Sequence, residues 1–398
     1  MPRPAFELAG IFRQHGPAYR RAHELPRQQL RVMRAIEVCR TAVLGGHVEQ
    51  CSQCSHTRIA YNSCRNRHCP KCQNQERAHW LQSRSAELLP VQYFHVVFTL
   101  PEPVAGIAFY NQKVVYGILF QAASQTLLTI ARDPQHLGAE IGLFAILHTW
   151  GQNLLFHPHL HCVVPGGGLS PDHDRWIACR TGFFLPVRVL SRLFRRLFLE
   201  ALEDAFYQGK LRFFGELESL QDAIAFAACL ASQQDREWVV YAKPPFGGPQ
   251  QVLEYLGRYT HRVALSNQRI LAVANRHVTF QWKDYRSPHQ QKSRVMTLDA
   301  QEFIRRFLLH CLPAGFPRIR YFGLLANRHR QEKLALCRSL LRTPLAELLP
   351  DAGPCRAVTL PPAAIPDRLC PECGSGHMIR LGWLPEHRWP STPPEDSS

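Results

Sequence analysis

The chain has 398 residues, 45% of them hydrophobic, and carries 47 Lys plus Arg against 31 Asp plus Glu, a formal charge of +16. That length supports two or three domains with real cores, and that charge favours a polyanionic partner, nucleic acid first. The N-terminus lacks the apolar core of a signal peptide and no uninterrupted apolar stretch reaches membrane-spanning length, so neither a secreted chain nor a membrane partner is expected, and a cytoplasmic location is the expectation.

Residues 1 to about 45 read as helical. In "RQQLRVMRAIEVCRTAVLGG", Leu30, Met33 and Ile36 recur at helical spacing before Gly45-Gly46 ends the run. A Cys/His module follows, completing a unit over 1–88. Six of the 14 cysteines lie between Cys39 and Cys72. In a reduced compartment such clustering reads as zinc ligation rather than disulfide formation. Cys51-x-x-Cys54 and Cys69-x-x-Cys72 supply the four thiolates of one tetrahedral Zn²⁺ site, and Cys39, His47, Cys64 and His68 are candidates for a second. Packing is the competing role for these last four. Arg58, Arg65, Arg67 and Lys71 stand among the ligands and suggest phosphate contacts.

The expected central domain spans 89–290. "YFHVVFTL", "GLFAILHTW" and "LHCVV" read as strands, "LSRLFRRLFLEALEDAFYQGKL" and "QDAIAFAACLAS" as helices, and "VTFQWKDYR" as a further strand. In "HPHLHCVVPGGG", His157, His159 and His161 alternate and share one face of an extended strand. Two such histidines can grip one metal ion, with a third ligand from a neighbouring strand. His148 is the candidate, with Gln152 and His157 in reserve. Imidazoles alone leave coordination positions open for Lewis-acid chemistry, and on a basic protein the target is a phosphodiester.

In "GGPQQVLEYLGRYTHR", Pro249 suits a first helical turn, and Tyr255 and Tyr259 then stand one turn apart on one face. Val252, Tyr255, Leu256 and Tyr259 also make an ordinary core stripe. Arg258, His261 and Arg262 beside the tyrosines favour phenolate and phosphate binding. Residues 291–345, with "AQEFIRRFLLHCL" and a basic run, read as a helical C-terminal part. Residues 346–398 read as a Pro-rich, poorly ordered tail around a small knuckle, where Cys370, Cys373 and His377, with Cys355 upstream, form a weaker zinc candidate.

His159-Leu160-His161 matches the histidine–hydrophobic–histidine (HUH) motif, "FHVVFTLP" resembles the first-strand motif of HUH endonucleases, and "YLGRY" resembles their paired tyrosines. With the Cys/His module, "FIRRFLLHCLPAGFPRIRYFGLLA" and the order of these segments, residues 15 to about 345 are similar to rolling-circle transposases of the IS91 family. The resemblance implies an α+β fold: an antiparallel sheet packed with helices, the metal strand in its middle. It implies that His159 and His161 hold Mg²⁺ or Mn²⁺. Tyr255 and Tyr259 would cleave and rejoin single-stranded element ends through 5′-phosphotyrosine links, with no nucleotide cofactor. The zinc module would bind element DNA; Arg65, Arg67, Lys71, Arg258 and Arg262 are the expected DNA contacts. It leaves the third metal ligand and the oligomeric state open.

A plasmid rolling-circle replication initiator or relaxase would share this chemistry. A non-catalytic zinc-dependent DNA-binding protein explains the charge and cysteines but not the histidines or tyrosines. A carboxylate-based transposase would need Asp172 and Asp174, which sit in a turn-like segment.

Overall fold

The computed structural model describes residues 4–73, 76, 80, 81, 87–243, 251, 257, 263–283, 293–348 and 369–386. Its elements in chain order begin with α1 (Leu8–Ala22), α2 (Arg27–Glu37), β1 (Gly46–Cys51), β2 (Thr57–Tyr61) and β3 (Tyr93–Thr99). Next come α3 (Glu102–Tyr110), α4 (Gln112–Arg132), β4 (Gly142–Trp150), β5 (Phe156–Pro165), β6 (Gly167–Leu169) and β7 (Trp176–Ala178). Then follow α5 (Val187–Tyr207), α6 (Ala223–Gln234), β8 (Val240–Lys243), β9 (Ile270–Ala274), β10 (His277–Lys283) and β11 (Ser293–Asp299). The last are α7 (Ala300–Leu308), β12 (Ile319–Gly323), α8 (Arg330–Leu348) and β13 (Met378–Leu384).

The central sheet has the order β12-β4-β5-β3-β8, with every pairing antiparallel. The fold is α+β, and β5, the histidine strand, lies in the middle as expected. Strict alternation gives the sheet two faces. Phe94, Val96, Phe98, Leu143, Ala145, Leu147, Leu160, Cys162 and Val164 join the main core with α3, α4, α5 and α6. On α5, Leu190, Phe194, Phe198 and Leu202 recur every four residues and are buried, the stripe that seats it on the sheet. Helix α6 starts where the Asp222 carboxylate accepts from the N–H groups of Ile224 and Ala225, a side-chain N-cap. Helix α4 has apolar residues on nearly every side and is the buried centre of this core. By length and composition alone it could cross a membrane, but here it is buried within the protein.

The opposite sheet face is divided. Tyr93, Phe144, Ile146 and Val163 pack beneath Leu334 and Cys337 of α8. The other half carries the histidines. The glycines after β5 permit close approach: a Cβ on Gly168 would collide with the Glu140 carbonyl oxygen, and Glu140 and Leu169 bridge there.

A separate core joins the N-terminal helices to residues 264–311. Helices α1 and α2 pack with α7 and the antiparallel sheet β9-β10-β11, with Phe12 edge-on to Phe307 at 5.5 Å and Phe280 edge-on to Phe303 at 5.8 Å. In this sheet β10 ends at Lys283 and β11 begins at Ser293, and β12 enters the central sheet from further along the chain. Strands from both sides of the boundary expected at 290 therefore pair with one another. Residues 369–386 also depart from a disordered tail, because β13 pairs with β1. Cys355 lies outside the described residues.

Candidate metal centres

Strands β4 and β5 are joined by a short connection, and the antiparallel register it sets places His148 opposite His159 and Ile146 opposite His161. Directly paired residues share a face, so His148, His159 and His161 converge; their ligand atoms all lie within 4.8 Å of one another. His148 and His161 are buried and His159 is half-buried. The ring of Trp150 stacks on His148 at 4.6 Å. Of the two reserve residues, His157 is exposed, and the backbone carbonyl of Gln152 accepts from Arg269.

The hydrogen bonds orient the rings. His159 Nδ1 is 2.7 Å from the His157 carbonyl oxygen, which can only accept, so Nδ1 carries the proton and Nε2 presents a lone pair. That Nε2 is 3.1 Å from His161 Nε2. The other nitrogen of His161, Nδ1, is 2.8 Å from His95 Nε2. His95 comes from β3, is buried, and has its pKa pushed down to about 3 by burial, with Lys243 and His159 adding to the effect. A neutral His95 can accept from His161 Nδ1–H, and in that tautomer His161 Nε2 is left for a metal. This is the carboxylate–histidine–metal logic with an imidazole as outer partner. The sequence reading did not single out His95. Its signal was a histidine within the apolar run "YFHVVF"; it pairs with Val163, two residues along β5 from His161 and on the same face.

The cysteines fall into two groups. Cys39, Cys64, Cys69 and Cys72 form one cluster, with Cys39 Sγ and Cys64 Sγ at 3.6 and 3.5 Å from Cys72 Sγ. Four sulfurs at about 2.3 Å from Zn²⁺ stand about 3.8 Å apart, so the cluster fits a tetrahedral ion. Neighbouring thiols aimed at Cys72 hold it far below the ordinary thiol range, and those of Cys64 and Cys69 bring Cys39 down to about 7. Cys51 and Cys54 are not part of this cluster, contrary to the grouping expected from spacing. The reason is the β1–β2 hairpin: Cys39 and Cys64 stand at its base, and each strand advances about 3.3 Å per residue, which carries Cys51 and Cys54 to its tip. There they meet Cys370 and Cys373.

Residues 142–333 match a family model described as "Putative transposase", and residues 11–100 match one described as "Transposase zinc-binding domain". Over 392 residues, 96% of each chain, the protein is 59% identical to "Putative transposase y4qJ" of Sinorhizobium fredii (strain NBRC 101917 / NGR234). The chain belongs to the IS91 family of transposases. It is also 27% identical over 300 residues, 73% of this chain and 68% of the other, to "Transposase for insertion sequence element IS801" of Pseudomonas savastanoi pv. phaseolicola.

Other expected site residues of the transposase have different places. His47 is paired with Glu49 at 2.8 Å, and neither it nor His68 belongs to a cysteine cluster. His68 Nε2 accepts from the Leu312 N–H at 3.1 Å. Arg67 donates to the Phe316 carbonyl, and Lys71 pairs with Glu7 at 2.6 Å. The His68 and Arg67 contacts fasten the zinc-binding domain to the segment after α7, and the Lys71 pair ties it to the start of α1, so Arg67 and Lys71 are each committed to a partner within the chain, while Arg65 is exposed. Tyr255, Arg258, Tyr259 and Arg262 lie outside the described residues. Asp172 and Asp174 sit in the turn between β6 and β7, where Ser170 Oγ donates to Asp174.

Two buried histidines at this junction set a pH dependence. Burial pushes His68 down to about 3 and His310 down to about 4, both from 6.5. His310 bridges Thr149 Oγ1 and the Leu154 carbonyl. Below pH 6.5 the unfolded chain takes up protons that the native chain refuses, so stability is complete above 6.5 and falls towards 4. Each histidine contributes a slope of about 1.4 kcal/mol per pH unit in that window. Denaturant midpoints of the wild type and His310→Gln between pH 7.5 and 4.5 check this: the variant's slope should be smaller by about one proton, and identical slopes would contradict it.

Proposed function

We propose that this transposase cleaves and rejoins single-stranded DNA at insertion-sequence ends, with Tyr255 and Tyr259 as nucleophiles and His148, His159 and His161 as ligands of a catalytic Mn²⁺ or Mg²⁺. The observation that carries the reading is the convergence of the three imidazoles on one face of the central sheet. The all-nitrogen donor set favours Mn²⁺ over the oxygen-preferring Mg²⁺. When bound, the ion supplies Lewis-acid polarisation of the scissile phosphate.

The chain's own groups do the rest. A tyrosine phenolate oxygen forms a bond to phosphorus while the bond to the 3′-oxygen breaks; that oxygen takes a proton and leaves as a 3′-hydroxyl. The 5′-phosphate stays on the tyrosine, and its bond energy is kept for rejoining, so no nucleotide is consumed. The second tyrosine serves the later cleavage and transfer. His95 keeps His161 in the productive tautomer. Plasmid replication initiation would use the same chemistry; the transposase names of both relatives favour transposition.

The test is incubation of the protein and Mn²⁺ with labelled oligonucleotides from the ends flanking its gene. A denaturant-resistant protein–DNA adduct should form on single strands and not on duplex. No adduct on any strand would leave the non-catalytic DNA-binding reading in its place. DNA affinity should also fall steeply with salt, because the +16 chain displaces counterions from phosphates. Titration between about 50 and 200 mM salt should reduce it by at least about tenfold, and a flat response would argue against a phosphate-dominated surface.

A further inference from the structure

Two C-x-x-C knuckles separated by most of the chain bring their thiols together. Cys51 Sγ is 3.7 Å from Cys373 Sγ, and Cys54 Sγ is 3.6 Å from Cys370 Sγ; all four sulfurs lie within 4.8 Å of one another. These separations match the edge of about 3.8 Å expected for four thiolates around Zn²⁺ and far exceed the disulfide bond of about 2.05 Å.

The backbone of both knuckles is turned towards the sulfurs. The N–H groups of Gln53 and Cys54 point at Cys51 Sγ at 3.4 and 3.5 Å. Those of Glu372 and Gly376 point at Cys370 Sγ and Cys373 Sγ at 3.4 and 3.3 Å. Donors in these positions favour thiolate over thiol. Gly376 is required by the approach itself, since a Cβ there would collide with Cys51 Sγ.

A second observation comes from the strands. β13 lies along β1 from Gly46↔Leu384 to Cys51↔Met378, and Ser52 N–H donates to the His377 carbonyl at 2.9 Å. This small sheet has almost no core: Ile59, Tyr61, Ile379, Leu381 and Trp383 are all exposed. Strands with so little buried surface need another source of stability.

We propose that Cys51, Cys54, Cys370 and Cys373 bind a second Zn²⁺ that fastens residues 369–386 to the N-terminal zinc-binding domain. The ion closes the chain's two ends into one module and makes β13 an integral strand of it. The two centres differ in access: Cys54 and Cys373 are exposed, whereas Cys39, Cys69 and Cys72 are buried. A chelator therefore removes the second ion first and frees the C-terminal segment while the first centre and the central sheet persist. This inference is independent of the nuclease reading.

The test uses the full chain, purified in reductant. Metal analysis and native mass spectrometry should give two zinc ions for the wild type and one for Cys370→Ser/Cys373→Ser. Cys54→Ser, on the other knuckle, should cause the same loss. A zinc-binding dye added to the wild type should withdraw one equivalent rapidly and the second at least about tenfold more slowly. With a protease site inserted between residues 349 and 368, the cleaved wild type should keep its C-terminal piece on gel filtration, and chelation should release it. One zinc in the wild type, or two in both variants, overturns the proposal; so does a C-terminal piece that stays attached after the rapid equivalent has gone.

Discussion

Changing both Tyr255 and Tyr259 to phenylalanine is expected to lower covalent adduct formation by at least about a thousandfold, because the nucleophile is removed while the ring remains. The substitution separates two roles that spacing alone leaves open. A core stripe would lose nothing of consequence, since phenylalanine fills the same volume and such exchanges cost less than about 1.5 kcal/mol. Tyr255→Phe and Tyr259→Phe should each fold, keep their zinc and lose one strand-transfer step. The competitor is Tyr241. It sits half-exposed on β8, paired with Val97, which in turn pairs with His161, so its phenol shares the histidine face of the sheet. Mass spectrometry of the trapped adduct decides between them. A 5′-phosphate on Tyr241 or Tyr285 would refute the assignment and leave the histidine chemistry standing.

The parts of the site that were legible in the sequence are those fixed by local geometry. His159 and His161 share a face because alternation in a strand has a period of two, and His148 meets them because a short connection leaves few registers open to β4 and β5. The apolar strands and the amphipathic α5 announce themselves by the same periodicities. Contacts set by distant segments were not legible. Counting residues between knuckles cannot reveal that a hairpin carries Cys51 and Cys54 away from Cys69 and Cys72, or that Cys370 and Cys373 arrive from the far end of the chain. Arg67 looked like a phosphate ligand because it is a cation among cysteines; its carbonyl partner, Phe316, comes from a segment remote in sequence. Helix α4 escaped notice for the opposite reason. Most of its surface is buried and its solvent edge is a narrow line through Gln121, Gln125, Thr129 and Arg132, so the polar stripe that marks its period is thin.

His161→Ala should abolish both metal binding and cleavage, since this ring joins every part of the centre. Its Nε2 faces His159, its ring lies 4.5 Å from His148, and its Nδ1 is held by His95. Removal leaves two imidazoles on adjacent strands, and cleavage with Mn²⁺ should fall by at least about a thousandfold, the scale of losing electrostatic stabilisation of a reacting oxyanion. Mn²⁺ affinity, followed by electron paramagnetic resonance without DNA, should fall in parallel, while single-strand binding at fixed salt changes little. His148→Ala should behave alike. His157→Ala should be mild, because that ring is exposed and the backbone carbonyl that orients His159 is kept by the substitution. His95→Ala tests the outer partner: Mn²⁺ affinity should drop by about 10 to 100-fold, the usual effect of losing a group that orients a ligand. His95→Gln, which can still accept from Nδ1–H, should recover part of it. If His157→Ala proves severe and His148→Ala mild, the third ligand is His157 instead. If His95→Ala leaves Mn²⁺ affinity untouched, the His95–His161 hydrogen bond plays no part in setting the tautomer.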